Sequence, residues 1–408
     1  MTDISASKSM ISPVSSGSDT KAGDDPQARR GFQTAQLREY GLVFALAIIT
    51  LFFEYTTGGV LFQPLNLTNL ILQNSYVVVM ALGMLLVIVA GHIDLSIGSV
   101  VGFVGALAAL LMVRFGFDPL TATVVCLAVG AVIGGLQGYF VAYLAIPSFI
   151  VTLAGMLVFR GLTLALLQGA SIGPFPEVFQ LLAKGFLVNF AGPWTALLIA
   201  LVLTMVLVGL NWRRRQVRVR NGGPADSAAS FIVRNGLTAV VILAFAYQMS
   251  AYRGLPNVLL VMFALVMLYR FVTSRTTIGR RIYALGGNIK AARLSGIKTE
   301  RLTFLTFANM GALAGLAGMI FAARLNTANP KAGAGFELDV IAACFIGGAS
   351  AAGGIGKVSG VVIGAFIIGI MNNGMSILGI GVDYQQVIKG VVLLAAVCLD
   401  VHNKNNRL

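Results

Sequence analysis

Histidine is almost missing from this chain: His92 and His402 are the only two in 408 residues. That removes most histidine-based catalytic and metal-binding arrangements, and the apolar runs hold no HExxH, no GxSxG and no cluster of acids. Cysteine is nearly as scarce. Cys126, Cys344 and Cys398 each sit inside an apolar segment without CxxC spacing, which excludes a disulfide framework and a zinc site. Charge is also short, at 11% of residues, where a soluble domain carries roughly a quarter. The imbalance of 29 basic against 15 acidic residues makes the net charge +14. The cations lie between apolar runs and not on one globular face, so they read as topology determinants and no nucleic-acid partner is expected.

What the chain has in abundance is apolar length. Hydrophobic residues make up 57%, and mean hydropathy is +0.86. Apolar runs fall at about 40–57, 70–90, 94–113, 119–144, 147–168, 192–211, 230–250, 255–274, 301–324, 337–349, 357–378 and 383–401. Most approach the ~20 residues that a spanning helix needs. The expectation is an all-α, polytopic membrane helix bundle with about 12 membrane segments, some short or broken. Residues 1–38, rich in Ser, Asp, Lys, Gly and Gln, read as a disordered cytoplasmic tail. The membrane domain then covers 39–402, and 403–408 forms a second cytoplasmic tail.

Arg29, Arg30 and Arg38 precede the first run and hold the N-terminus inside. Counting from there, the loop with Arg213, Arg214, Arg215, Arg218 and Arg220, the loop from Arg275 to Arg293, and the tail with Lys404 and Arg407 all fall inside. Both termini are therefore expected to be cytoplasmic. The run NWRRRQVRVR reads as an orientation determinant and a membrane-lipid contact. The loops 169–192 and 325–339 fall outside and are long enough to receive a soluble partner.

Two stretches interrupt the apolar pattern, GHIDLSIGS at 91–99 and GGASAAGGIGKVSG after the short run 337–349. Non-helical backbone at membrane depth persists only under protein or beside a water-filled cavity, so both are expected at the centre of the bundle. The second superficially suggests a phosphate loop. It fails, because GxxxxGK[ST] would need Gly at Ala351 and Ser or Thr at Val358.

Four candidate elements carry chemistry. Gly279–Arg301 is a polar island in which Asn288 caps a short helix ended by Gly296. Lys290 and Arg293 share one side of that helix, and Ala291, Ala292 and Ser295 the other. A helix this short needs a surface to dock on. Asp94, followed by Ser96, either caps the next helix or lines a path or gate. Arg160, deep in an apolar run, must face protein, water or an interface, because a lone arginine at mid-bilayer costs ~2.5–3.5 kcal/mol, and snorkelling or a bridge to backbone carbonyls is favoured over substrate contact. Asn372 and Asn373 suit interhelical hydrogen bonding or a polar path equally.

Taken together, GHIDLSIGS, PSFIVTLAGMLVFRGL, GRRIYALGGNIKAARLSGI and GFELDVIAACFIGGASAAGGIGKVSGVVIGAFIIGIMNNGMSILG resemble the membrane permease of bacterial ABC sugar importers. The nearest branch is that of xylose and multiple-monosaccharide permeases, related to the ribose permeases, over about Asn69 to Leu399. The resemblance implies a non-enzymatic transport subunit of the bacterial inner membrane, working as two copies. It also implies a cytoplasmic ABC ATPase that holds ATP and magnesium, and a periplasmic sugar-binding protein; no cofactor or metal is expected on this chain. The coupling element of such permeases matches Asn288, Lys290, Ala291, Ala292, Arg293, Leu294, Ser295 and Gly296. The GxIDLS element matches Gly91, Ile93, Asp94, Leu95 and Ser96, near the pathway. An ion-gradient transporter is the rival reading, with a membrane-embedded enzyme behind it.

Overall fold

The computed structural model describes residues 26–187, 192–221 and 227–405, with side chains described within 41–398. Fifteen α-helices and no named strand occur among the described residues. The chain divides at Gly41 into a short first unit and a second, 42–408, that holds every helix after the first. The helix α1 (Pro26–Thr56) reaches back into the stretch read from sequence as tail. Residues 1–25 and 406–408 lie outside the described residues.

Twelve helices coincide with the twelve apolar runs. After α1 come α2 (Pro64–Val89), α3 (Ile97–Ala109, continued by one π turn through Arg114), α4 (Pro119–Ala142) and α5 (Ser148–Leu167). Three further helices lie outside those runs: α6 (Glu177–Lys184) in the loop 169–192, and α10 (Thr277–Gly287) and α11 (Ile289–Leu294) in the polar island, where the sequence predicts only the second of the pair. The remaining apolar helices are α7 (Thr195–Arg220), α8 (Ala228–Ser250), α9 (Asn257–Arg275), α12 (Thr299–Leu325), α13 (Phe336–Ile346), α14 (Val358–Ile377) and α15 (Val382–Asn405). Nine helices among the described residues are long and apolar enough to cross a membrane.

The helix α2 is the hub. Pro64 stands at its first turn, where a missing N–H costs nothing. Every residue from Val77 to Val89 is buried, as expected of a helix that is apolar on all sides. Around it pack α9, α12, α13 and α14. The tightest crossing joins α4 and α12. Gly130, Gly134 and Gly138 recur every fourth residue on one, Gly311 and Gly315 on the other, and a methyl group at Gly134 would fall on the Phe307 carbonyl.

Two expectations need correction. The arginines from Arg213 to Arg220 lie in no loop: α7 continues through them, since arginine is a good helix former and cations suit a helix C-terminus. The break 347–357 is not central either. Ala349 and Ser350 are buried, but Ala351, Ala352, Ile355 and Lys357 are exposed. It sits at the end of the bundle against the last residue of α2, with the Gly354 N–H donating to the Val89 carbonyl at 2.8 Å. The break 91–96 starts at that same end, with Gly91 exposed beside Gly353, and runs inward to the buried Asp94 and Ser96.

Candidate functional site

The polar island folds as two consecutive capped helices. Thr276 opens α10 by accepting the Gly279 N–H at 3.1 Å, and Asn288 opens α11 by accepting the Ala291 N–H at 3.0 Å. Gly296, at φ +78°, closes α11, while the Ile297 N–H returns to the Ala292 carbonyl at 3.1 Å. Of α11 only Ala292 is buried, as its foot. Asn288, Lys290, Ala291, Arg293, Ser295 and Gly296 are exposed, and Leu294 is 90% exposed. Of the side formed by Ala291, Ala292 and Ser295, only Ala292 meets the rest of the chain. Arg293 is held locally, by an ion pair with Glu300 and a 3.3 Å bond to Thr299 Oγ1. Leu294 is the side chain left projecting.

Behind this tip, α10 is clamped to the bundle. Tyr283 Oη donates to the Gly356 carbonyl at 2.7 Å. Gly286 lies against the Val89 carbonyl and the Gly354 nitrogen so closely that a methyl group there would overlap both. Through α10, α11 is thus joined by adjoining backbone to the end of the hub helix and to the break 347–357.

Asp94 does not cap α3. The helix begins at Ile97 with Ser96 at its cap, and Asp94 Oδ1 accepts both the Ser96 N–H at 2.8 Å and the Ser96 hydroxyl at 2.7 Å. Competition from this local turn accounts for the displaced role. Ser96 Oγ also meets the Gln137 amide of α4 at 2.9 Å, and Gly155 of α5 packs on both. Gln137 was not singled out from sequence.

Asn372 and Asn373 face different neighbours. Asn373 and Asn66 exchange paired amide bonds of 3.0 and 3.1 Å, joining α14 to α2. Asn372 Nδ2 donates to Asp339 Oδ2 at 3.1 Å, and Lys389 of α15 binds both Asp339 oxygens at 2.9 and 3.2 Å. This ion pair was also unread in the sequence. Asp339 and Lys389 sat inside the runs 337–349 and 383–401, and an ionisable pair in apolar helices is the pattern that finds it. The loop helix α6 likewise has a readable pattern. Pro176 precedes it, Glu177 and Lys184 match its dipole, and Phe179 and Ala183 form its buried stripe.

Among the described residues no three His, Cys, Asp or Glu side chains converge as metal ligands.

Residues 66–397 match the family described as branched-chain amino acid transport system / permease component. The chain is 39% identical to the xylose transport system permease protein of Escherichia coli K12 over 92% of this chain and 94% of that protein. It is 41% identical to the protein of the same name from Haemophilus influenzae, over 91% and 98%. It is also 34% identical to the ribose import permease protein of E. coli K12, over 91% and 96%. No solved structure matches the chain.

Proposed function

The chain belongs to the ribose-type family of ABC permeases, multi-pass transport subunits, and on that footing we propose that it imports a monosaccharide, xylose-like or one of several, into the cytoplasm. Family membership sets aside the ion-gradient reading. The complete transporter, in this proposal, pairs two copies of the chain in the bacterial inner membrane with both termini cytoplasmic. Cytoplasmic ABC ATPase domains bind ATP and magnesium, and a periplasmic sugar-binding protein delivers the sugar at the opposite face.

Energy enters at α11. The observation that carries this is Leu294, 90% exposed on a helix anchored through a single buried alanine. With Ile289 exposed on the same helix, two bare apolar side chains on an element too short to persist alone suit a groove in a partner. When the ATPase domains close, they displace α11 and α10. Tyr283 and Gly286 pass the displacement to Gly354, Gly356 and Val89, and the hub carries it into a rigid-body rocking of the membrane helices. Asp94, Ser96, Asn372 and Asn373 are then proposed at or near the pathway and its gates.

Substituting Arg293→Glu together with Leu294→Asp tests the docking. Co-purification of the ATPase and sugar uptake should both be lost. If both persist at wild-type levels, the ATPase docks elsewhere.

A further inference from the structure

The polar island and the first turns of α12 line a cleft of about 460 Å³, within the ~300–1,000 Å³ of small-molecule sites. From α10 come Ile278 and Arg281, three residues apart and so on one side of the helix. From the start of α12 come Lys298, Arg301 and Leu305, and Gly296 lines the cleft where α11 ends. Three cations thus share one space, and nothing in the chain neutralises them. Among the described residues Arg281, Lys298 and Arg301 make no hydrogen bond or ion pair. Glu300, the only acid between Thr276 and Leu325, is already held by Arg293. Like charges around one space repel, a cost that an anion between them removes. Two of the three are arginines, whose planar forks match phosphate oxygens.

The rest of the lining is apolar and leads into the membrane. The helix α12 is one of those long and apolar enough to cross it, with Arg301 in its first turn. Leu305, one turn deeper on the same side, is exposed, as is Ile278. Close by, Tyr143 at the end of α4 packs its ring against Phe304 with centroids 6.3 Å apart, and both Tyr139 and Tyr143 are exposed. Exposed tyrosines at the end of a spanning helix mark the depth of the lipid headgroups. A free phosphate or an acidic protein surface would use the cations and leave Leu305 and Ile278 bare. A phospholipid meets both halves of the cleft, with its phosphate on the cations and its acyl chains along the apolar side.

We propose that this cleft binds an anionic phospholipid, whose phosphate is gripped by Arg281, Lys298 and Arg301 while its chains lie along Leu305. Arg281 belongs to α10 and the other two to the start of α12, so the bound headgroup ties together the two elements that flank α11 and stiffens its mounting. Such a site goes beyond the transport reading and stands without it.

The test uses the full-length chain purified in detergent, titrated with phosphatidylglycerol, with phosphatidylcholine of the same acyl chains, or with inorganic phosphate. Native mass spectrometry reads binding, and thermal unfolding reads bracing. The first phosphatidylglycerol should bind about tenfold more tightly than phosphatidylcholine, whose choline cation meets the same three charges, and should raise the unfolding temperature. Arg281→Gln with Lys298→Gln and Arg301→Gln should abolish that preference and leave the lipid-free unfolding temperature unchanged. An equal loss of charge on α7, Arg213→Gln with Arg214→Gln and Arg218→Gln, should keep the preference. If the first triple variant does not fold, Arg301→Gln alone carries the test with a smaller loss. Leu305→Ser should also weaken phosphatidylglycerol, an effect that a site for phosphate alone would not show. A preference that survives in the first triple variant, or falls equally in both, overturns the site. Inorganic phosphate that displaces the lipid while Leu305→Ser has no effect makes the cleft a free-anion site and overturns the lipid. Loss of ATPase co-purification in the first triple variant, with lipid bound as in the wild type, makes the cleft a protein contact and overturns it likewise.

Discussion

Lys389 and Asp339 show how a single side chain can hold one membrane helix on another. Their two contacts, with the Asn372 amide added, join α13, α14 and α15 in apolar surroundings. Removing one partner leaves a buried charge unpaired, so Lys389→Met should destabilise by about 3–5 kcal/mol, and Lys389→Met with Asp339→Asn should recover much of it. Thermal unfolding of the detergent-purified chain reads both, and equal losses in the single and double variants would show that the ion pair is solvated and not structural. The Asn66 and Asn373 pair should weigh less. Asn373→Ala is expected to cost about 1 kcal/mol, the ordinary scale for a hydrogen bond between membrane helices. Neither asparagine reading could be chosen from sequence alone, because an amide in an apolar run suits a path or a partner equally. Asn66, 307 residues away in sequence, is what gives Asn373 its partner.

At the scale of elements, the clamp between α10 and the hub is the feature with the clearest consequence. Gly286→Ala places a methyl group against the Val89 carbonyl and forces α10 off the end of α2. The expected phenotype is uncoupling: the variant should still retain its ATPase partner through α11, but sugar moved per ATP hydrolysed should fall several-fold. Wild-type coupling in that variant would mean that force passes by another route. Gly236→Ala on α8, where no atom lies nearby, serves as the neutral control. The short helix α11 was legible beforehand because its signals are local, a cap at Asn288 and a stop at Gly296. Its exposed side was not, since the burial of Ala292 and the withdrawal of Arg293 to Glu300 depend on where α12 begins.

For the whole molecule, the outer face of α5 and the hairpin of α7 and α8 are two of the sparsely covered surfaces among the described residues. The hairpin is held by the Asn211–Asn235 bond and otherwise presents Val202, Met205, Val240 and Val241, as a lipid-facing pair should. The face of α5 differs by carrying Arg160, which suits the proposed second copy or a wet pathway and not lipid. With the exposed Cys398 replaced by serine, cysteines at Leu153, Leu157 or Leu164 should cross-link between copies with a short bismaleimide, whereas one at Val240 should not. No dimer from any of the three would place the contact between copies elsewhere. The sequence by itself determined the all-helical membrane class, the positions of the apolar helices, the capped polar island and the family. Each of these rests on local composition, spacing or an ordered motif, which no distant contact has to complete. Only the tertiary structure decided that Asp94 serves a local turn, that the glycine-rich break lies at the end of the hub and that Asp339 meets Lys389. It alone set Arg281 of α10 in one cleft with Arg301 of α12. These depend on which faces of separate helices come together, and a pattern along one chain does not specify the rotation of each helix about its own axis.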